Sequence, residues 1–261
     1  MKFLIRSAVL VSACALGLTT LPAPVPAAES ATLTADVASS AFKPFEHLFK
    51  EYEKSHPGVT INPKSMSGNA IQADVEADNP ALDIVVVGKK QTDAVTAHIN
   101  SPVQILTQKE AVLVPWSGAK VKSLKDLGQP GVKVALGTAE SAVGGPARTL
   151  LKNAAGDAAY GADFPQKVRA NTVFEGAKGT DMPDAVRSGK ADAAIGFVSD
   201  EDPPHLRALT IPDNLNVATP YYVFVPKSSK NQKVADDLLK FINSKHGLAV
   251  LHSFHYLPPG K

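Results

Sequence analysis

Three short segments of this chain could hold a small anion. Residues 38–40 read Ala-Ser-Ser, residues 65–69 read Ser-Met-Ser-Gly-Asn, and residues 141–146 read Ser-Ala-Val-Gly-Gly-Pro. Each is small, uncharged and rich in hydroxyls or bare backbone, and each falls between a β-like run and a helical one. A helix N-terminus presents unpaired N–H groups and about half a positive charge, so such loops favour anions. Each also has a plainer use. A Ser before a helix caps it, and Gly-Gly-Pro makes a turn.

Enzyme chemistry is poorly represented. The sequence has no Gly-x-Ser-x-Gly elbow, no His-Glu-x-x-His and no Gly-x-x-x-x-Gly-Lys-Ser/Thr loop. Asp200-Glu201-Asp202 could hold a hard cation, or it is a solvated acidic loop before Pro203-Pro204. His246, His252 and His255 lie close in sequence, and the last two could share a helix face and bind metal. No carboxylate or Cys joins them, and one helix seldom completes a site. A secreted enzyme using the His-rich end or the acidic loop is the alternative class of function.

The elements that position these loops alternate short β-like runs with helices, the pattern of an α/β fold with a mainly parallel sheet. Residues 32–37 predict a strand, with Ser40 as N-cap of the helix that follows. In that helix Phe42, Phe45, Phe49 and Tyr52 recur at helical spacing, and His56-Pro57-Gly58 stops it. Strands are expected at 59–62, 83–87, 103–107 and 111–116, and a helix at 69–77. A second unit follows: a short helix at 123–127, a strand at 132–136, a helix at 146–153 with Pro146 at its first position, a helix at 182–188 and a strand at 193–198. Residues 221–225 predict a strand returning to the first unit, and helices at 233–243 and 247–254 close the chain. The expected organisation is therefore a signal peptide at 1–28, lobe one at 29–115, lobe two at 116–220, and a return to lobe one at 221–261. Two segments crossing between α/β lobes make a hinge and a central cleft, and ligands in such sheets bind beyond the carboxyl ends of strands.

The leader sets the compartment. Lys2 and Arg6 precede an uncharged apolar run over residues 7–21, followed by a Pro- and Ala-rich stretch ending in small residues. This is the layout of a secretory signal peptide, with cleavage after Ala27 or Ala28 and a periplasmic, monomeric product. Cys14, the one cysteine, also ends a lipobox-like Val-Ser-Ala-Cys, so lipid anchorage is the alternative to its being one more apolar residue. Lys+Arg number 27 against 25 Asp+Glu. That balance excludes nucleic-acid binding driven by bulk positive charge.

The ordered series of segments resembles the periplasmic molybdate-binding proteins of ABC transporters, of the type II solute-binding fold. The resemblance is carried by residues 33–40 (LTADVASS), 56–59 (HPGV), 81–86 (ALDIVV), 130–137 (PGVKVALG) and 185–196 (AVRSGKADAAIG). It implies a two-lobed binder, not an enzyme, that captures molybdate, tungstate or a similar oxyanion without a cofactor and delivers it to an ABC permease. Another small anion or small organic solute is the alternative ligand. The resemblance places hydroxyl ligands at Ser40 and Ser67 and backbone donors at Gly144 and Gly179. The family's tyrosine ligand falls on Phe197, which has no hydroxyl. Tyr160, Tyr221 or a water could supply that donor, or Phe197 is simply core. A protonated phosphate would need an acceptor, for which Asp36 and Asp181 are the nearest candidates.

Overall fold

The computed structural model describes residues 30–260. The expected signal peptide and Cys14 lie outside the described residues. The first stretch runs β1 (Ala31–Ala38), a 3-10 turn (Ser39–Ala41), α1 (Phe42–Ser55), β2 (Val59–Met66), α2 (Gly68–Glu76), β3 (Ile84–Gly88), α3 (Lys89–Ala94) and β4 (Val103–Pro115). The middle stretch holds β5 (Val134–Gly137), α4 (Gly144–Ala155), α5 (Phe164–Ala170), β6 (Thr172–Gly176), α6 (Asp181–Arg187), β7 (Ala193–Phe197) and β8 (Leu206–Thr210). The chain closes with β9 (Ala218–Phe224), α7 (Gln232–Ile242) and α8 (Lys245–Ser253).

The strands form two half-sheets that share β4. One half runs β2-β1-β3-β9-β4, and the other continues β4-β7-β5-β6 with β8 on the far side of β4. In each half the strands followed by helices pair in parallel, β1 with β2 and β3, β5 with β6 and β7. The strands that pass between halves pair antiparallel: β9 with β3 and β4, and β4 with β7 and β8. Along β4 the partner changes between Lys109, opposite Ala218 of β9, and Glu110, opposite Phe197 of β7.

Each half has its own apolar packing. In the first, Phe45, Leu48, Phe49 and Tyr52 of α1 bury against Leu33, Ala35 and Val37 of β1 and against Leu238 of α7. This is the helical spacing of aromatics expected from the sequence, with Phe42 at its edge. In the second, Leu150 and Leu151 of α4 pack with Phe164, Val112 and Ile195, while Met182 of α6 packs with Leu113, Leu206 and Phe197 on the opposite face.

Several expectations are corrected. Ser40 does not cap α1, whose N-cap is Ala41. With Ser40 as cap, Pro44 would fall at the first residue that must donate into the helix. Starting at Phe42 puts Pro44 at the third position, where the N–H has no helical partner anyway. Pro146 likewise sits third in α4, not first. Residues 103–107 and 111–116 are one strand, because the intervening Gln108 and Glu110 are buried and stay extended. No element was expected at α3, α5, β6 or β8. All are short, and β6 and β8 are half-exposed edge strands without a clean apolar alternation.

Candidate ligand-binding site

The turn after β1 lies where the two halves meet. Ser40 is buried, and its Oγ is 2.8 Å from Tyr221 Oη on β9. Its carbonyl accepts from Tyr256 Oη at 2.6 Å and from Gln108 Nε2 at 3.4 Å. Gln108 in turn receives Ser199 Oγ at 3.4 Å from the turn after β7. Burial and the loss of hydration push the phenols of both Tyr221 and Tyr256 upward, so both are neutral hydroxyls. Beside Ser40, Ser39 Oγ accepts the backbone N–H of Gly179 at 3.0 Å, from the loop between β6 and α6. A side chain at Gly179 would put its Cβ 2.5 Å from Ser40 Cβ. Only a glycine allows the two loops to approach this closely.

Among the residues expected at the site, the structure brings Ser40 and Gly179 together. Ser67 caps α2, its Oγ accepting from Ala70 N at 3.3 Å. The start of α2 packs on Gln91, which is buried between Gly68 and Gly88. The N–H of Gly144 is spent within its own loop, on Ser141 Oγ at 3.0 Å, and that hydroxyl donates to the Thr138 carbonyl at 2.8 Å. Its loop still reaches the first half, through an exposed Glu140–Lys90 pair at 2.9 Å. Phe197 is fully buried against Met182 and Leu113. Tyr221, not Tyr160, is the tyrosine whose hydroxyl meets Ser40; Tyr160 packs on Phe164 with ring centroids 5.0 Å apart.

Of the acids named from sequence, Asp36 and Asp181 sit elsewhere, while Asp200, Glu201 and Asp202 border the cavity between the halves. Asp36 is buried on β1, where desolvation raises its carboxyl to about 6, opposed by Lys64 and reinforced by Asp74. Asp181 Oδ2 accepts the Lys178 N–H at 2.8 Å and so orders its own loop. The run Asp200-Glu201-Asp202 is split among three partners: the Phe197 N–H at 2.8 Å, the Ala208 N–H at 3.1 Å and Arg187 at 3.0 Å. His246 pairs with Glu51 at 2.8 Å. Among the described residues no group of three or more His, Cys, Asp or Glu could hold a metal ion, and no helix is long and apolar enough to cross a membrane.

Sequence reading missed Glu110 and took Asp200 for part of a cation-binding or solvated acidic loop, not for a buried acid at the junction. Glu110 is fully buried at the partner change of β4, and desolvation, then the charge of Asp200, push its carboxyl well up. Burial also raises Asp200 to about 7, against the Phe197 N–H, Arg187 and Lys43. A polar residue within an apolar strand pattern was the available signal. A cavity of about 300 Å³ opens between the halves, lined by Ser39, Ser40, Lys43, Arg187, Ser199 and Asp200 among others. Its hydroxyls and the cations of Lys43 and Arg187 can meet a small anion, and Asp200, Glu201 and Asp202 share the lining.

Comparison with known proteins agrees with this architecture. A protein of Bacillus subtilis (strain 168) named as an ABC transporter substrate-binding lipoprotein, YvgL, is 25% identical over 237 residues, covering 86% of each chain. The periplasmic molybdate-binding protein of Azotobacter vinelandii superposes with a TM-score of 0.75 at 16% identity, over 87% of this chain and 99% of that one. The sulfate-binding protein SubI of Mycobacterium tuberculosis H37Rv gives 0.73 at 14% identity, over 88% and 87%. These two likenesses show the shared two-lobed α/β fold. The family model for bacterial extracellular solute-binding proteins matches residues 33–257, and the chain belongs to that family of binders.

Proposed function

We propose that this protein captures a small oxyanion between its two lobes outside the cytoplasm and hands it to an ABC permease. The observation that carries the reading is the Gly179 N–H directed at Ser39 Oγ, beside Ser40. Donor and hydroxyl come from opposite sides of the cleft, and an anion oxygen is a stronger acceptor for that N–H than a hydroxyl. Opening is a rotation about β4 near Lys109–Glu110 and about the segment leading into β9. The lobes are then 29–115 with 221–261, and 116–220. Residues 1–28 export a monomer, or Cys14 anchors it by lipid. Ser40 and Gly179 supply contacts from the two sides, Ser67 keeps its hydroxyl proton to donate while its oxygen caps α2, and Gly144 donates on exchanging Ser141 Oγ for the ligand, with Phe197 behind them.

Molybdate or tungstate is the ligand that the resemblance implies, and sulfate is bound by a protein of the same fold. A thermal-shift and calorimetric screen with molybdate, tungstate, sulfate, phosphate and a small-organic panel tests the function. A ligand at 100 times its Kd stabilises the folded state by about 2.7 kcal/mol. Stabilisation by an organic solute and by none of the oxyanions would overturn the oxyanion reading.

A further inference from the structure

The carbonyl of Ser40 is held by side chains remote in sequence. In a helix it would accept from the N–H four residues on, but that residue is Pro44, which has none. Its donors are instead Gln108 Nε2 at 3.4 Å and Tyr256 Oη at 2.6 Å, 68 and 216 positions away, and both bonds are buried. The Ser199 hydroxyl, from the turn after β7, reaches Gln108 Oε1 at 3.4 Å and is also a hydrogen-bond partner of the Tyr256 phenol. Ser40 follows β1, and Gln108 lies on the part of β4 that pairs with β9, so both belong to the first half. Ser199 belongs to the second.

Tyr256 is carried by the segment that follows α8. Phe254 packs on the apolar cluster of the first half. His255 stands in the left-handed region at φ 66°, a conformation that costs a residue with a Cβ and persists only where its surroundings hold it. Just beyond it, Leu257 exchanges two backbone bonds with Thr107 of β4, at 2.9 and 3.0 Å, two residues before the partner change at Lys109–Glu110. His255 also borders two cavities: the one at Ser39 and Ser40, and another of about 500 Å³ lined by Lys109, Asp213, Asn216 and Ser199 among others. Residues 254–257 therefore brace the angle between the halves. They are fixed to the first half and to the hinge strand, and they meet the second half at Ser199.

We propose that Tyr256 is a positioning residue of the ligand site, and that Ser199 makes its hold on the Ser39–Ser40 turn depend on closure. The inference rests on the reading above that the two lobes close around a ligand. With the halves together, the Ser199 hydroxyl steadies both donors to the Ser40 carbonyl. Holding one carbonyl of a planar peptide fixes the direction of the whole unit, and with it the turn that carries Ser39 Oγ, where the Gly179 N–H arrives. Rotation about Lys109–Glu110 carries Ser199 off with the second lobe, while Tyr256 stays with the first. The turn then loses its bracing in the same movement that takes Gly179 away. Closure and the presentation of Ser40 rise and fall together, and Tyr256 does this without touching the ligand.

Hydrogen exchange of the Gly179 amide, taken relative to the core amide of Val86 on β3, reads the turn without any ligand. In the full mature protein, Tyr256→Phe should speed that relative exchange about 3- to 10-fold, the equivalent of one lost hydrogen bond. Calorimetry with molybdate and with sulfate should show affinity falling by a similar factor. Ser199→Ala should move both readouts in the same direction. Tyr52→Phe, which gives up a bond to Asp237 at 2.9 Å between α1 and α7, should move neither. An unchanged Gly179-to-Val86 ratio in Tyr256→Phe would overturn the proposal, as would an equal change in Tyr52→Phe. If Tyr256→Phe does not fold, Ser199→Ala decides by the same ratio. Tight oxyanion binding with an unchanged ratio defeats this inference alone. The expected ratio with no binding of molybdate, sulfate or phosphate defeats the oxyanion reading and leaves the bracing of the turn standing.

Discussion

The backbone N–H of Gly179 and the hydroxyl of Ser39 meet at 3.0 Å across the junction between the two halves of the chain. They are separated by 140 positions in sequence, and no regular element joins them. Their contact depends on the β4 and β9 crossings holding the halves in one orientation. It is polar and small, so it sets the closed geometry without locking it.

Gly179→Ala should hold the cleft open. The added Cβ would stand 2.5 Å from Ser40 Cβ, and Gly179 lies outside every helix and strand. Small-angle scattering should show a larger radius of gyration than wild type, and ligand affinity should fall at least tenfold. The melting temperature without ligand should change little. Wild-type affinity in Gly179→Ala would show that the loops can part without loss of the site.

Ser40 and Tyr221 should be coupled. Ser40→Ala removes the partner of a buried phenol, a loss of about 1–3 kcal/mol in stability. Tyr221→Phe removes the phenol itself, so the double variant should cost less than the sum of the singles, as read from urea midpoints. Contact of Ser40 with a charged ligand adds a second effect: about 1.5–3 kcal/mol in binding, or roughly 10- to 150-fold. A stability loss with unaltered affinity would assign Ser40 a purely structural role.

Phe197→Tyr should weaken the fold and not improve binding of molybdate. The ring is fully buried among Met182, Leu113 and Leu206, and a hydroxyl added there without a partner costs about 1–3 kcal/mol. Chemical denaturation and molybdate titration of the variant check both halves of the expectation. A gain in affinity would mean that the ring edge reaches the ligand.

Stability should fall as pH rises through the titration of Asp200. Its carboxyl stands at about 7 in the folded protein against an ordinary 3.8, so between those values the folded state binds more protons than the unfolded one. The stabilisation is fully present below the lower value and is lost by the upper. Urea midpoints should decline from pH 4.5 to 7.5. Asp200→Asn should flatten that decline while its side-chain oxygen keeps the Phe197 N–H.

The sequence made the architecture legible where apolar spacing was strong. The aromatics of α1, the uninterrupted run of β3 and the Ala-rich β7 each declare a period. The edge strands β6 and β8 do not, because one face meets solvent and register is set by neighbours. At the junction, Ser40 and Gly179 were readable as loop residues beside helices. Ser39, one position away, was not distinguished from Ser40. Glu110 was invisible, and Asp200 read as part of an acidic loop, for a different reason: a charged residue in a sequence reads as surface until a tertiary partner change buries it.

The placement of β9 bears on how the chain folds. β9 lies between β3 and β4, yet it is made after the whole middle stretch. A chain emerging from its N-terminus leaves β3 with an open edge until residues beyond 217 arrive. Closing that gap requires contacts far apart in sequence, which slows folding, and an unpaired apolar strand such as β3 invites association meanwhile. The middle stretch carries its own apolar clusters and can collapse first. The half that holds Ser39 and Ser40 is therefore the last to be finished, and a chain truncated before β9 has no means of joining β3 to β4.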